Sequence, residues 1–144
     1  MTEPPPPFDY AESIAAWWDV ANASHRPAAA IEALRQERLA ALVAFARERS
    51  AFYRRRLGVA RGAPVLTDLA PVHKLELMAA FDDWVTDPAL TRRAVERFAG
   101  DGGRIGQALL GRYAVWTSSG STGEPGIFVH DTRALAIYDA LEAI

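Results

Sequence analysis

The ten residues Thr117-Ser118-Ser119-Gly120-Ser121-Thr122-Gly123-Glu124-Pro125-Gly126 constrain the fold of this chain more than any other stretch. Five hydroxyl side chains and three glycines stand between two apolar, β-prone segments, so the backbone must leave one strand, turn and enter another. Tyr113-Ala114-Val115-Trp116 reads as a short buried strand before the run, and Ile127-Phe128-Val129-His130 as another after it. Glycine tolerates positive φ and lets backbone N–H groups come close to an anion, while Ser and Thr add donors without bulk. A polyphosphate suits such a lining. A polar hairpin without a ligand is the plainer alternative, but generic hairpins rarely need so many consecutive hydroxyls.

The run resembles the serine/threonine/glycine-rich signature of the adenylate-forming (AMP-binding) superfamily. In that signature Ser/Thr-Ser-Gly-Ser/Thr-Thr-Gly is followed by any residue, then Pro, then Lys, Thr or Gly, and Ser118 to Gly126 fill the pattern. Two further stretches are similar to the phenylacetate-CoA ligase branch. Glu37-Arg38-Leu39 through Ala46, followed by Ser50-Ala51-Phe52-Tyr53-Arg54-Arg55-Arg56-Leu57, resembles its helix and Ser-Pro-Phe-Tyr-Arg-x-x-Leu opening. Leu66-Thr67-Asp68-Leu69-Ala70-Pro71-Val72-His73-Lys74-Leu75-Glu76-Leu77 resembles its Leu-x-Asp-Leu-x-x-Leu/Val-x-Lys-x-Glu/Asp-Leu segment. Ala51 departs from the usual Pro, and Glu124 stands where many members have Lys. An acidic side chain beside a triphosphate lacks the attraction a Lys supplies, which bears on the fine contacts of the loop and not on the loop itself.

The resemblance implies an α/β fold: the N-terminal portion of the large domain of an adenylate-forming enzyme. That portion would be mostly helical up to about residue 110, then form a β-hairpin around the phosphate loop and a C-terminal helix. The implied activity is an ATP-dependent acyl- or aryl-CoA ligation of a small carboxylic acid. A carboxylate attacks the α-phosphorus of ATP to give an acyl-adenylate and pyrophosphate; a thiol, usually that of CoA, then attacks the acyl carbon and expels AMP. Thr117, Ser118, Ser119, Gly120, Ser121, Thr122, Gly123, Glu124 and Pro125 would hold the ATP phosphates, with Mg2+ offsetting their charge. No catalytic residue and no metal ligand is assigned within this stretch, because the family's adenylation lysine belongs to a small C-terminal domain.

The family's enzymes are much longer than 144 residues, so the resemblance implies a fragment. Residues 1–9 would be a disordered proline-rich leader and residues 10–144 an incomplete N-terminal AMP-binding domain. Asp131 or Thr132 can cap a helix in which Ala134, Leu135, Ile137, Tyr138, Leu141 and Ile144 keep helical spacing to the last residue. Such a helix fits a chain that continues, and a frayed end is the alternative. The fragment alone is expected to show no carboxylate-dependent exchange of pyrophosphate into ATP. Two other readings stay open: an adenylyltransferase of the same superfamily that does not use CoA, and a non-catalytic helical binding module that kept the loop. A homodimer of the complete enzyme also stays open.

Sixteen Lys and Arg against eighteen Asp and Glu give a net charge of −2, so the chain lacks the electrostatic footprint of a nucleic-acid binder. Cysteine is absent, which excludes disulfide frameworks and thiolate metal sites. The apolar stretches fall short of a membrane span and no signal-like run follows the proline-rich start, so a soluble cytoplasmic location without membrane partners is expected.

The remaining patterns are mostly helical. Asp9 to Val20 carries Tyr10, Ile14, Trp17 and Trp18 near helical spacing, and its tryptophans are expected to pack against a domain. From Pro27 to about Arg49, Ile31, Leu34, Leu39, Leu42, Val43 and Ala46 mark a long amphipathic helix. Arg54, Arg55 and Arg56 follow on a shorter helix that Gly58 is placed to end. Adjacent arginines can clasp a phosphate or the nucleotide end of CoA, but three in a row cannot share one helix face, so a solvated or internally paired cluster is expected. Gly62, Pro64 and Pro71 punctuate a loop; helices are then expected over Leu75–Trp84 and Pro88–Phe98.

Asp82, Asp83 and Asp87 read either as a magnesium site or, preferably, as caps and dipole partners. The segment Gly100–Gly106 has the wrong spacing for a dinucleotide loop and reads as a flexible loop, and the Walker pattern fails after Gly123. His25, His73 and His130 lack the spacing of a metal set, with His130 expected at a strand end beside an Asp cap.

Overall fold

Asp9 starts the first helix in the computed structural model, which describes residues 9–58, 63–118, 123 and 125–143. Its Oδ1 accepts from the Ala11 and Glu12 amides at 2.9 and 3.1 Å, satisfying donors that a helix start leaves open, and α1 spans Tyr10–Ser24. The helix thus runs past the expected Val20 end. Residues 1–8 of the expected leader, Gly62 and Ile144 lie outside the described residues. By its contacts the chain divides into two units, Pro27–Arg92 and Met1–Arg26 with Arg93–Ile144.

The Pro27–Arg92 unit opens with Pro27 as the N-cap of α2 (Ala28–Arg49), its carbonyl accepting from the Ala30 and Ile31 amides. Proline fits there because that position owes no amide to the helix. The expected long helix is present, and along it burial is confined to Val43. Val43 is buried, whereas Ile31, Leu42 and Phe45 are exposed. The reason is topological: α2 packs on α3 (Ala51–Leu57), which follows directly from its last turn.

Ser50 sits at the corner between these two helices with no exposed surface. Its Oγ accepts from the Tyr53 amide at 3.2 Å, capping α3, and donates to the Asp83 carbonyl at 3.0 Å. Gly58, at φ +55°, ends α3 as its position suggested. Ala51 is the first residue of α3, preceded by Ser50 at φ −110° and ψ 122°. That backbone is the one a residue before proline prefers, and a first helical position tolerates proline. Ala51→Pro is therefore expected to raise stability by about 0.5–1 kcal/mol, by restricting the unfolded chain. A lower melting temperature would show that the corner does not accept the ring.

The single helix expected over Leu75–Trp84 is instead two: α4 (Lys74–Ala79) and α5 (Phe81–Trp84), with Ala80 at φ −105° and ψ 25° between them. The bend redirects the last turn so that Asp83 meets Ser50 through its carbonyl and Arg55 through its carboxylate at 2.6 Å. Met78 and Phe81 are buried beside it, and Phe81 meets Trp84 edge to face at 5.9 Å. Pro88 does not open a helix. Asp87 Oδ1 accepts from the Ala89 amide and its carbonyl from the Leu90 amide, making a turn that buries Leu90 and delays α6 to Arg92–Ala99. Such side-chain bonds compete with helix formation.

In the other unit, Val95 and Phe98 of α6 are buried. The segment after it, expected as a loop, contains a hydrogen-bonded turn. Gly102–Arg104 forms a short 3-10 turn in which Asp101 accepts from the Gly103 amide at 3.0 Å and from Arg104 Nε at 3.2 Å. Leu109 and Tyr113 then exchange backbone bonds around a tight turn with Leu110 at φ +55° and Gly111 at φ +68°. Leu110 is the only non-glycine residue at positive φ among the described residues.

The strands β1 (Ala114–Thr117) and β2 (Ile127–His130) pair antiparallel, with Ala114 opposite His130 and Thr117 opposite Ile127. The first strand lies one residue later than expected. Nor are the strands fully buried: Ile127 is 5% exposed, but Trp116 and Phe128 on the opposite face are 40% and 47% exposed. An antiparallel pair commonly covers one face only. Asp131 Oδ1 accepts from the Ala134 amide at 2.8 Å and caps α7 (Thr132–Glu142), which packs on α1 and β2 and buries Ala136 and Ala140. The chain is therefore mostly helical, followed by a short antiparallel hairpin and a C-terminal helix. No helix among the described residues is long and apolar enough to cross a membrane.

Candidate functional site

The hydroxyl-rich run leaves the sheet at Thr117 and rejoins it at Ile127, the last paired residues of the ladder. One further pair of bonds lies just beyond them. The Ser118 amide donates to the Gly126 carbonyl at 2.9 Å, and the Gly126 amide donates to Ser118 Oγ at 2.7 Å. Gly123 sits at φ +96°, a conformation that favours glycine, and no described residue lies within 4 Å of where a Cβ would stand. Thr117, Ser118, Gly123 and Pro125 are exposed, and Gly126 is buried. Ser119, Gly120, Ser121, Thr122 and Glu124 lie outside the described residues.

Beside β1 runs an open cleft of about 350 Å³, lined among others by Phe98, Asp101, Arg104, Gln107, Trp116 and Thr117. Arg104 lies over the Phe98 ring at 5.5 Å while its Nε bonds Asp101, so the cleft presents a cation already partnered by a carboxylate. The sheet face that carries Trp116 is aromatic. Trp116 meets the His130 ring at 4.6 Å and Tyr138 edge to face at 5.2 Å. A hydrogen bond to Glu142 and the charge of that carboxylate hold the Tyr138 phenol above its ordinary pKa. His130 ends β2 immediately before the capping Asp131, as expected.

The other chemistry-bearing clusters are used structurally. Arg54 donates to the Arg47 and Glu48 carbonyls, Arg55 pairs with Asp83, and Arg56 pairs with Glu76 at 2.7 Å and donates to the Pro71 carbonyl. No two of the three arginines share a partner, the internally paired arrangement expected of neighbours that cannot share a face. Asp82 accepts from the Arg92 amide at the start of α6, Asp87 holds its own turn, and Asp83 pairs with Arg55. These are the caps and partners preferred over a magnesium site. Among the described residues no group of three His, Cys, Asp or Glu side chains is placed to hold a metal ion.

Two roles were not anticipated from sequence. Ser50 is a buried cap, and its signal was available: a serine directly before the apolar start Ala51-Phe52-Tyr53. The Ser118–Gly126 bond had no such signal, because the same serine satisfies the signature whether it binds an anion or the opposite strand. Comparisons with protein-family models, curated proteins and solved structures find no match to this chain.

Proposed function

We propose that this chain supplies the ATP-phosphate loop of an adenylate-forming ligase, which activates a small carboxylic acid as its acyl-adenylate and passes the acyl group to CoA. One observation carries the reading: the run from Thr117 to Pro125 departs from and returns to a single antiparallel strand pair, with Gly123 at positive φ. A strand pair fixes both ends of a loop, so that amide and hydroxyl donors meet an anion with little reorganisation. The donor set suits phosphate. Neutral hydroxyls and amides can take the β- and γ-phosphate oxygens, and Mg2+ carried by ATP offsets their charge.

In this reading Thr117, Ser119, Ser121 and Thr122 offer hydroxyl donors, Gly120 and Gly123 shape the backbone, and Ser118, Glu124 and Pro125 complete the run. Holding the two outer phosphates orients pyrophosphate as the leaving group when the carboxylate attacks the α-phosphorus. The cytoplasm, where ATP and CoA are abundant, is the matching location. Calorimetric titration of the chain with ATP and Mg2+, and separately with pyrophosphate, tests the proposal. Saturable binding of both, mutually competitive and weakened by salt, is expected. Failure of both ligands to bind overturns it.

A further inference from the structure

We infer that Ser118 is a positioning residue whose hydroxyl ends the strand pair and sets the span of the loop, an inference that rests on reading that loop as the phosphate site. In a continuing antiparallel ladder, the residue opposite Gly126 gives its amide to the Gly126 carbonyl and accepts the Gly126 amide on its own carbonyl. Ser118 makes the first of these bonds at 2.9 Å, but the second goes to its Oγ at 2.7 Å. The side chain substitutes for its own main chain. The Gly126 amide, in a buried residue, is thereby satisfied at the point where the ladder stops and the chain turns away.

A side chain without a β-hydroxyl removes that arrangement. Either the Gly126 amide loses its acceptor, or the Ser118 carbonyl swings in to replace it and the ladder extends into the loop. Both outcomes shift the ends between which residues 119–125 are strung. Threonine keeps the acceptor and suits a strand end. The Ser118 oxygen, accepting from the Gly126 amide at 2.7 Å, holds the two described ends of the run together.

The test compares the 15N-labelled chain with its Ser118→Ala and Ser118→Thr variants, following exchange of the Gly126 amide and the Kd for pyrophosphate. Ser118→Ala is expected to speed Gly126 exchange by about tenfold and to weaken pyrophosphate by a similar factor, the usual effect of one hydrogen bond. Ser118→Thr should stay within about twofold of the parent in both, since it retains the bond. Weaker pyrophosphate binding with unchanged Gly126 exchange would make Ser118 a direct phosphate donor and overturn the inference. Faster exchange with unchanged affinity would overturn it as well. If the parent chain binds no pyrophosphate, the phosphate reading fails and the positioning role falls with it, while Gly126 exchange in Ser118→Ala still decides the strand-ending bond.

Discussion

Gly123→Val is expected to weaken ATP binding by about a hundredfold while leaving the melting temperature almost unchanged. Gly123 holds φ +96°, and among the described residues no atom lies within 4 Å of the place its Cβ would take. The penalty therefore comes from the backbone and not from a collision, so no neighbouring side chain can relieve it by moving. A β-branched residue must leave that conformation, and the donors on either side move with it. Gly123→Ala, which carries the same conformational penalty with little bulk, should fall close to Val. Thr122→Ala removes a single donor and is expected to cost about tenfold. Gly123 is exposed and outside the buried set, which is why global stability should be spared. Calorimetry with ATP and a thermal melt on the same samples separate the two effects. Unaltered ATP affinity in Gly123→Val would mean that the loop does not hold phosphate.

The elements that were legible in advance depend on neighbours in sequence. The strand, loop and strand around Thr117–Gly126 follow from apolar runs flanking a stretch that can do little but turn, and the ends of α3 and α7 follow from Gly58 and Asp131. The elements misplaced depend on partners far along the chain. The break at Ala80 accompanies the bond from Ser50 to Asp83, and the late start of α6 accompanies the bond from the Arg92 amide to Asp82. Neither pairing leaves a periodic trace. Along α2 the apolar spacing states which face can be buried and not how far its neighbour reaches, so only Val43 is buried. At the candidate site the bond from the Gly126 amide to Ser118 Oγ was not legible, since it is set by which groups lie opposite across the strand pair.

Ser50→Ala should be the more damaging change for stability, with a loss of about 3 kcal/mol and a melting temperature lower by roughly 10 °C. Ser50 has no exposed surface, and its hydroxyl acts in both directions, accepting from the Tyr53 amide and donating to the Asp83 carbonyl. Alanine removes the cap of α3 and also strips the Asp83 carbonyl of this partner. Because the bond to the Asp83 carbonyl ties the start of α3 to α5 across 33 residues of sequence, its loss acts on a tertiary contact and not only on a helix end. Ser50→Thr keeps the oxygen but adds a methyl group at a fully buried position, at an expected cost of about 1 kcal/mol. The ordering parent, Thr, Ala in thermal melts is therefore the diagnostic. If the Thr variant were as unstable as the Ala variant, packing at the corner would matter more than the hydroxyl. If neither changed the melt, the corner would not hold these helices together as the two bonds imply.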